Sequence, residues 1–294
     1  MRSIVAAIGF WVINVATGPA YGQAATDPAD PANSAKPRVY ALVAAVGEQF
    51  GFVYEVESIG SHLSPYRRRT VEVPNNILNR LALHGLDKAI ANIDPDSRRI
   101  YMALPAAQMA GIAPSEREGV AISKIVSELE KMPQRLEWDR IVIATPAYRA
   151  LELNGLASKL QGFGLFSQPL CQGRCGDDLH QLGQDGADAV TSEDKTIRAR
   201  TYIAPFSYIE VWVLDPKSLA ILDKQQGFDS QKLAEPRYKP LELSQSAGQN
   251  YVAGRISSLI ELSVGEAVMH SELNRRGKVK VGEPKVVNPD DTKK

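Results

Sequence analysis

Cysteine and histidine are scarce here: 294 residues hold only two of the first and four of the second. That is too few thiols for a four-cysteine zinc module, and no second cysteine pair exists. The motifs that mark large enzyme classes are missing as well. There is no His-Glu-x-x-His, no Walker P-loop, no Gly-x-Gly-x-x-Gly, no Cys-x-x-Cys-His and no Gly-x-Ser-x-Gly. Gly162-Phe163-Gly164 is too short a fragment to count as a dinucleotide loop. Asp177, Asp178, Asp185 and Asp188 lack the spacing of an EF-hand loop. No cofactor and no metal are therefore expected. Charge of one sign is missing too. Lys plus Arg and Asp plus Glu each total 34, so nothing in the balance favours nucleic acid or an anionic membrane surface. Beyond the N-terminus no apolar run reaches the ~20 residues that cross a bilayer.

What is present begins at the N-terminus. Met1-Arg2-Ser3 gives a short positive start, residues 4–16 are apolar, and small residues follow through Ala25. This is the pattern of a secretory signal peptide over residues 1–24, cleaved near residues 22–25. An uncleaved anchor is the alternative. No cysteine lies near the cleavage region to carry a lipid. The mature chain is thus expected outside the cytoplasm, in a periplasm or beyond, with no transmembrane segment left after cleavage.

Export bears on the two cysteines. Cys171 and Cys175 are expected to form a disulfide in an oxidising compartment. The loop they close is tiny, so the entropic gain is only roughly 2 kcal/mol and falls on that loop. A metal site with His180, or free redox-active thiols, are the other readings.

Residues 25–37 are small, polar and proline-rich, a flexible lead-in. A single α/β domain is expected over 38–275, followed by a charged tail over 276–294. The clearest local pattern lies at 114–149. Ser115 and Glu118 have capping-box spacing. Ile122, Ile125, Val126, Leu129 and Met132 then recur at three- and four-residue steps, the apolar stripe of a helix. Pro133 ends it. Ile141-Val142-Ile143-Ala144 follows, a strand buried on both faces. A weaker copy lies upstream, with a helix from Asn75 or Asn76 to Ile93, bent or broken at Gly85, and a strand at Ile100–Leu104. Helix–strand units in series imply parallel strands.

Strands are also expected at 39–46, at 50–56 and, kinked by glycine, at 161–166. Residues 58–69 read as a loop, 151–160 as a short helix, and 168–194 as a long surface loop. Tyr208, Glu210, Trp212 and Leu214 alternate with Ile209, Val211 and Val213, and Asp215-Pro216-Lys217-Ser218 is a turn. That predicts a β-hairpin. Residues 225–249 read as irregular, and 254–273 as a closing helix. The fold class is α/β: a mixed sheet with helices packed on it, a C-terminal hairpin and a closing helix.

Candidate binding residues follow from this layout. Ligands in open α/β sheets sit beyond the carboxyl ends of parallel strands, which nominates Thr145, Tyr148 and Arg149. His62 and the run Arg67-Arg68-Arg69 form the one local basic cluster, suited to a phosphate or carboxylate. No catalytic set is evident. The leading expectation is a non-enzymatic, envelope-associated protein that binds a protein partner through the hairpin and the 168–194 loop. A hydrolase of phosphates or esters, using Arg149, Tyr148 and His62, and a periplasmic small-ligand binding protein are the alternatives.

Overall fold

The computed structural model describes residues 36–55, 66–153, 156–168, 187–199, 202–234 and 246–274. The signal segment, His62, Cys171, Cys175, His180 and the charged tail lie outside the described residues. The fold is α/β, a mixed nine-stranded sheet with three helices packed on it.

The two helix–strand units flank one strand. β1 (Val39–Ala44), β4 (Arg98–Ala103) and β5 (Arg140–Pro146) are parallel, with β1 bonded to β4 on one side and β5 on the other. β1 is buried throughout, and β5 is buried from Ile141 to Pro146. Alternate side chains of both strands feed opposite cores. Tyr40, Leu42, Val142 and Ala144 meet helix α1 (Ile77–Ile93). Ala41, Val43, Ile141 and Ile143 meet helix α2 (Arg117–Glu130).

The remaining strands are β2 (Gln49–Glu55), β3 (Tyr66–Glu72), β6 (Tyr148–Leu153), β7 (Leu156–Gln168), β8 (Ala187–Val190), β9 (Thr196–Ala199), β10 (Tyr202–Leu214) and β11 (Ile221–Ser230). β10 is the spine of the sheet. Its C-terminal half pairs with β5, its N-terminal half pairs with β7, and β11 runs along its other edge. β7 carries the sheet on to β2 and β3, and β6 folds back on it. β8 and β9 form a separate two-stranded sheet. Helix α3 (Ser246–His270) closes the α1 side, with Val252, Ile256, Ile260, Val264 and Val268 in the core.

Several local expectations are corrected. β3 stands where a loop was read. Its three arginines hide the period-2 pattern, yet each of its residues pairs with one of β2. β6 and the start of β7 replace the short helix expected at 151–160; they form an antiparallel ladder. Gly85 does not break α1. It is buried against α3, where an added Cβ would lie 3.3 Å from Val264 Cβ, so the glycine permits close helix contact. The capping box does not form. α2 begins at Arg117, its N-cap is Glu116, and no side-chain cap bond is made. β8 falls inside the expected 168–194 loop, and β11 extends to Ser230 in a stretch read as irregular. α3 starts eight residues earlier (Ser246 against 254). Among the described residues, no helix is long and apolar enough to cross a membrane.

Candidate functional site

The two faces of the sheet are covered unequally. Among the described residues, α1 and α3 cover one face, and α2 is the one α-helix on the other, with Met109, Trp138 and Leu219 beside it. Side chains of β10 alternate, so Ile209 and Val211 join the α1–α3 core, and Trp212 and Leu214 join the α2 core. Glu210 shares the α2 side with Trp212. It is a carboxyl group of zero exposure in an otherwise apolar strand.

A polar seam runs from Glu210 past the start of α2. Lys224 of β11 places its Nζ 3.0 Å from Glu210 Oε1 and 2.7 Å from Glu118 Oε1. The same ammonium lies 4.3 Å from the Trp212 ring centroid, a cation–π arrangement. Gln226 Nε2 donates to Glu210 Oε1 at 3.0 Å, and Tyr208 donates to Gln226 Oε1 at 2.7 Å. Trp212 Nε1 donates to the Thr145 hydroxyl at 2.9 Å.

Burial, and then the neighbouring Glu118, push the Glu210 pKa up to about 7. Burial also works against the Glu118 carboxylate, but its hydrogen bonds with Glu210 and Lys224 outweigh that and hold its pKa below the usual range. Burial disfavours the Lys224 charge, while the two carboxyls more than restore it and raise its pKa. Ionised Glu210 leaves Oε2 buried with nothing to accept from. Protonated, that oxygen becomes a donor toward Glu118. The proton thus belongs to Glu210, beside a Glu118 held ionised, and one ammonium clamps both carboxyls.

The seam continues to a cationic end. Arg68 opposes Val53 in the β2–β3 ladder, and its guanidinium lies over Gly51, which has no side chain to displace it. Arg68 Nη2 donates to Gln161 Oε1 at 3.0 Å, and Gln161 Nε2 donates to the Pro114 carbonyl at 2.8 Å. Arg68 Nε and Nη1 are buried and have no hydrogen-bond partner. An unmet buried donor costs about 1–3 kcal/mol. Arg117, only 7% exposed, donates Nε to the Ile112 carbonyl at 2.9 Å. Burial lowers the pKa of Arg68, and the charge of Arg117 lowers it further; Tyr148 acts in the opposite direction. Burial lowers Arg117 as well.

The residues nominated from sequence separate. Thr145 and Tyr148 lie along the seam, but Thr145 is fully buried and its hydroxyl is engaged by Trp212. Arg68 is brought to the seam from a strand read as loop. Arg149 pairs with Leu160 and Arg67 with Tyr54 in their ladders. Sequence reading missed Glu210, Lys224, Glu118, Gln161 and Arg117 as a group. The signal was Glu210 itself, an acid set between Ile209 and Val211 in a buried strand.

Two other features lie outside the seam. A cleft of about 180 Å³ is lined by Arg38, Tyr40, Asp139, Arg140, Glu272 and Leu273. Its charges are paired: Arg38 with Asp94 and Arg140 with Glu272. The outer edge of β11 pairs with no strand among the described residues, and it opens with Ile221 and Leu222, 51% and 42% exposed. Among the described residues no group of three His, Cys, Asp or Glu is placed to hold a metal ion.

No family model matches the chain, and no curated protein matches it. Solved structures offer distant likenesses. One is a Xanthomonas campestris protein of the DUF330 family, 8% identical, TM-score 0.32, covering 80% of this chain and 86% of that one. Another is a putative neuraminyllactose-binding hemagglutinin homolog from Helicobacter pylori, 7% identical, TM-score 0.34, covering 84% and 92%. A hypothetical protein from Chlamydia trachomatis is 12% identical, TM-score 0.29, covering 80% and 100%. Likenesses this weak carry no argument.

Proposed function

We propose that the protein is exported to the cell envelope and works by binding an extended segment of a partner protein, without catalysing a reaction. The observation that carries this is the outer edge of β11. Ten residues run along the sheet with no described strand beside them, and the edge opens with exposed Ile221 and Leu222 at the hairpin. An unpaired edge presents a row of N–H and C=O groups, a template onto which another chain adds as a strand. Main-chain bonds then supply affinity, and contacts to alternate side chains supply selectivity. Asp223 and Lys224 interrupt the apolar start of the edge, which favours a chosen partner over general aggregation. The apolar start of the chain, read as a signal peptide, supports the location.

A photo-crosslinking residue at position 222, introduced into the full chain in its native host, tests both parts. The expected result is an exported mature form joined to one identifiable envelope polypeptide. The adduct should disappear when Ile221→Lys is added and persist when Leu136→Lys is added instead. Uncrosslinked protein in the exported fraction would overturn the binding reading. Full-length protein confined to the cytoplasm would overturn the export reading.

A further inference from the structure

Side chains of β3 alternate across the sheet, so Arg68 faces opposite to the exposed Arg69. It points into the α2 side, over Gly51, and meets Gln161. Gln161 ties Arg68 to the Pro114 carbonyl, and Arg117, buried at the start of α2, donates to the Ile112 carbonyl two residues away, so its charge opposes that of Arg68. Among the described residues, the arginine ion pairs belong to Arg38, Arg99, Arg140, Arg198 and Arg255. Arg68 and Arg117 have none. Of the two acids that flank Arg117, Glu118 is turned to Lys224 and Glu116 is exposed at the N-cap of α2. Among the described residues, two guanidiniums are therefore tied to one turn without a counter-charge, and two buried N–H-bearing nitrogens of Arg68 meet no acceptor.

A protein that needed only packing at this place would use an apolar side chain, because an unneutralised buried charge is expensive. A guanidinium's planar fork suits an oxyanion, which accepts several N–H bonds at once. We infer that Arg68 and Arg117, with Gln161 fixing the Arg68 plane, bind a small oxyanionic group, a phosphoryl or a carboxylate. The bound anion accepts from the free Arg68 nitrogens and cancels the repulsion between the two cations. Gln161 is spent on Arg68 and Pro114, so it positions the fork and does not contact the ligand. This site is separate from the β11 edge and does not depend on a strand being added there.

The test is thermal unfolding and calorimetric titration of the exported chain at constant ionic strength. Inorganic phosphate, acetate and chloride are the three probes. Phosphate or acetate near ten times its dissociation constant should raise Tm by roughly 2–6 °C, with chloride without effect. Phosphate alone giving the shift assigns a phosphoryl ligand, and acetate alone assigns a carboxylate. The shift should vanish in Arg68→Met and Arg117→Gln. It should persist in Arg69→Met, which removes the same charge from an exposed residue of the same strand. Arg68→Lys keeps the charge, loses the fork and should weaken binding at least about tenfold with unchanged circular dichroism. No shift with either oxyanion, or an equal shift in Arg68→Lys and wild type, overturns the site.

Discussion

One sheet separates two unlike coverings. On the α1–α3 side the contact is close. Gly85 faces Val264, Gly227 faces the Ser263 backbone, and the Ser207 and Ser263 hydroxyls bond each other at 2.5 Å. On the α2 side an apolar core under β1 and β5 gives way to the seam of Glu210, Lys224, Glu118, Gln161, Arg117 and Arg68. The first face is closely packed, and its one unmet buried donor among the described residues is Arg99 Nη1, beside Asp87 of α1. The second contains one balanced cluster, in which two carboxyls share one ammonium, and one pair of arginines without a counter-charge among the described residues. Both faces enclose an apolar core, and most of the unmet bonding capacity among the described residues lies on the α2 side.

The largest expected effect falls on the α1–α3 face. Gly227→Ala puts a Cβ into the Ser263 carbonyl, backbone that cannot step aside. A loss of about 3 kcal/mol is expected in urea unfolding, near the top of the range for overpacking. A loss below about 1 kcal/mol would show that α3 is seated loosely, and the contrast between faces would fail.

Next is Lys224→Met. It leaves Glu118 and Glu210 without their cation. The cost should be about 2 kcal/mol, short of that for a fully enclosed pair because the Lys224 side chain is 41% exposed. No change in the urea midpoint would mean the balanced cluster is decorative.

Glu210 also sets a pH dependence. Its folded pKa, about 7, lies above the ordinary 4.5. The folded state then holds a proton that the unfolded chain has lost. This contribution is complete below about pH 4.5 and lost as pH rises through about 7. Glu118 is shifted the other way, so its contribution is present above about pH 4.5 and lost as pH falls through its lowered value. Wild-type stability should fall by about 2 kcal/mol between about pH 5 and about pH 8. Glu210→Gln should flatten that slope. Equal slopes in the two proteins would refute the proton on Glu210.

Much of the fold was legible because it follows from periodicity. The α2 stripe, the buried β5 run and the alternation of β10 each appear in the sequence and stand in the structure. Losses came where local pattern and tertiary pairing disagree. β3 reads as polar because Arg68 turns to the seam while its neighbour Arg69 is exposed, and only its ladder with β2 makes it a strand. β6 and β7 have apolar residues at spacings that also fit a helix turn. The candidate site was legible in fragments. Thr145, Tyr148 and Arg68 were singled out, but nothing local links Arg68 to Arg117 and Gln161, because that convergence requires β3, β7 and α2 to meet on one face. Glu210 announced itself as an acid among buried aliphatics, without indicating that Lys224 and Glu118 would enclose it.

The smallest effect is the most direct test of the arginine pair. Arg68→Met removes a buried cation that repels Arg117 and lacks acceptors for Nε and Nη1. In buffer free of oxyanions, the variant should unfold at a higher urea concentration than wild type, by about 1 kcal/mol. A variant clearly less stable than wild type under those conditions would mean that the Gln161 bond and local packing already justify Arg68, and would contradict the account.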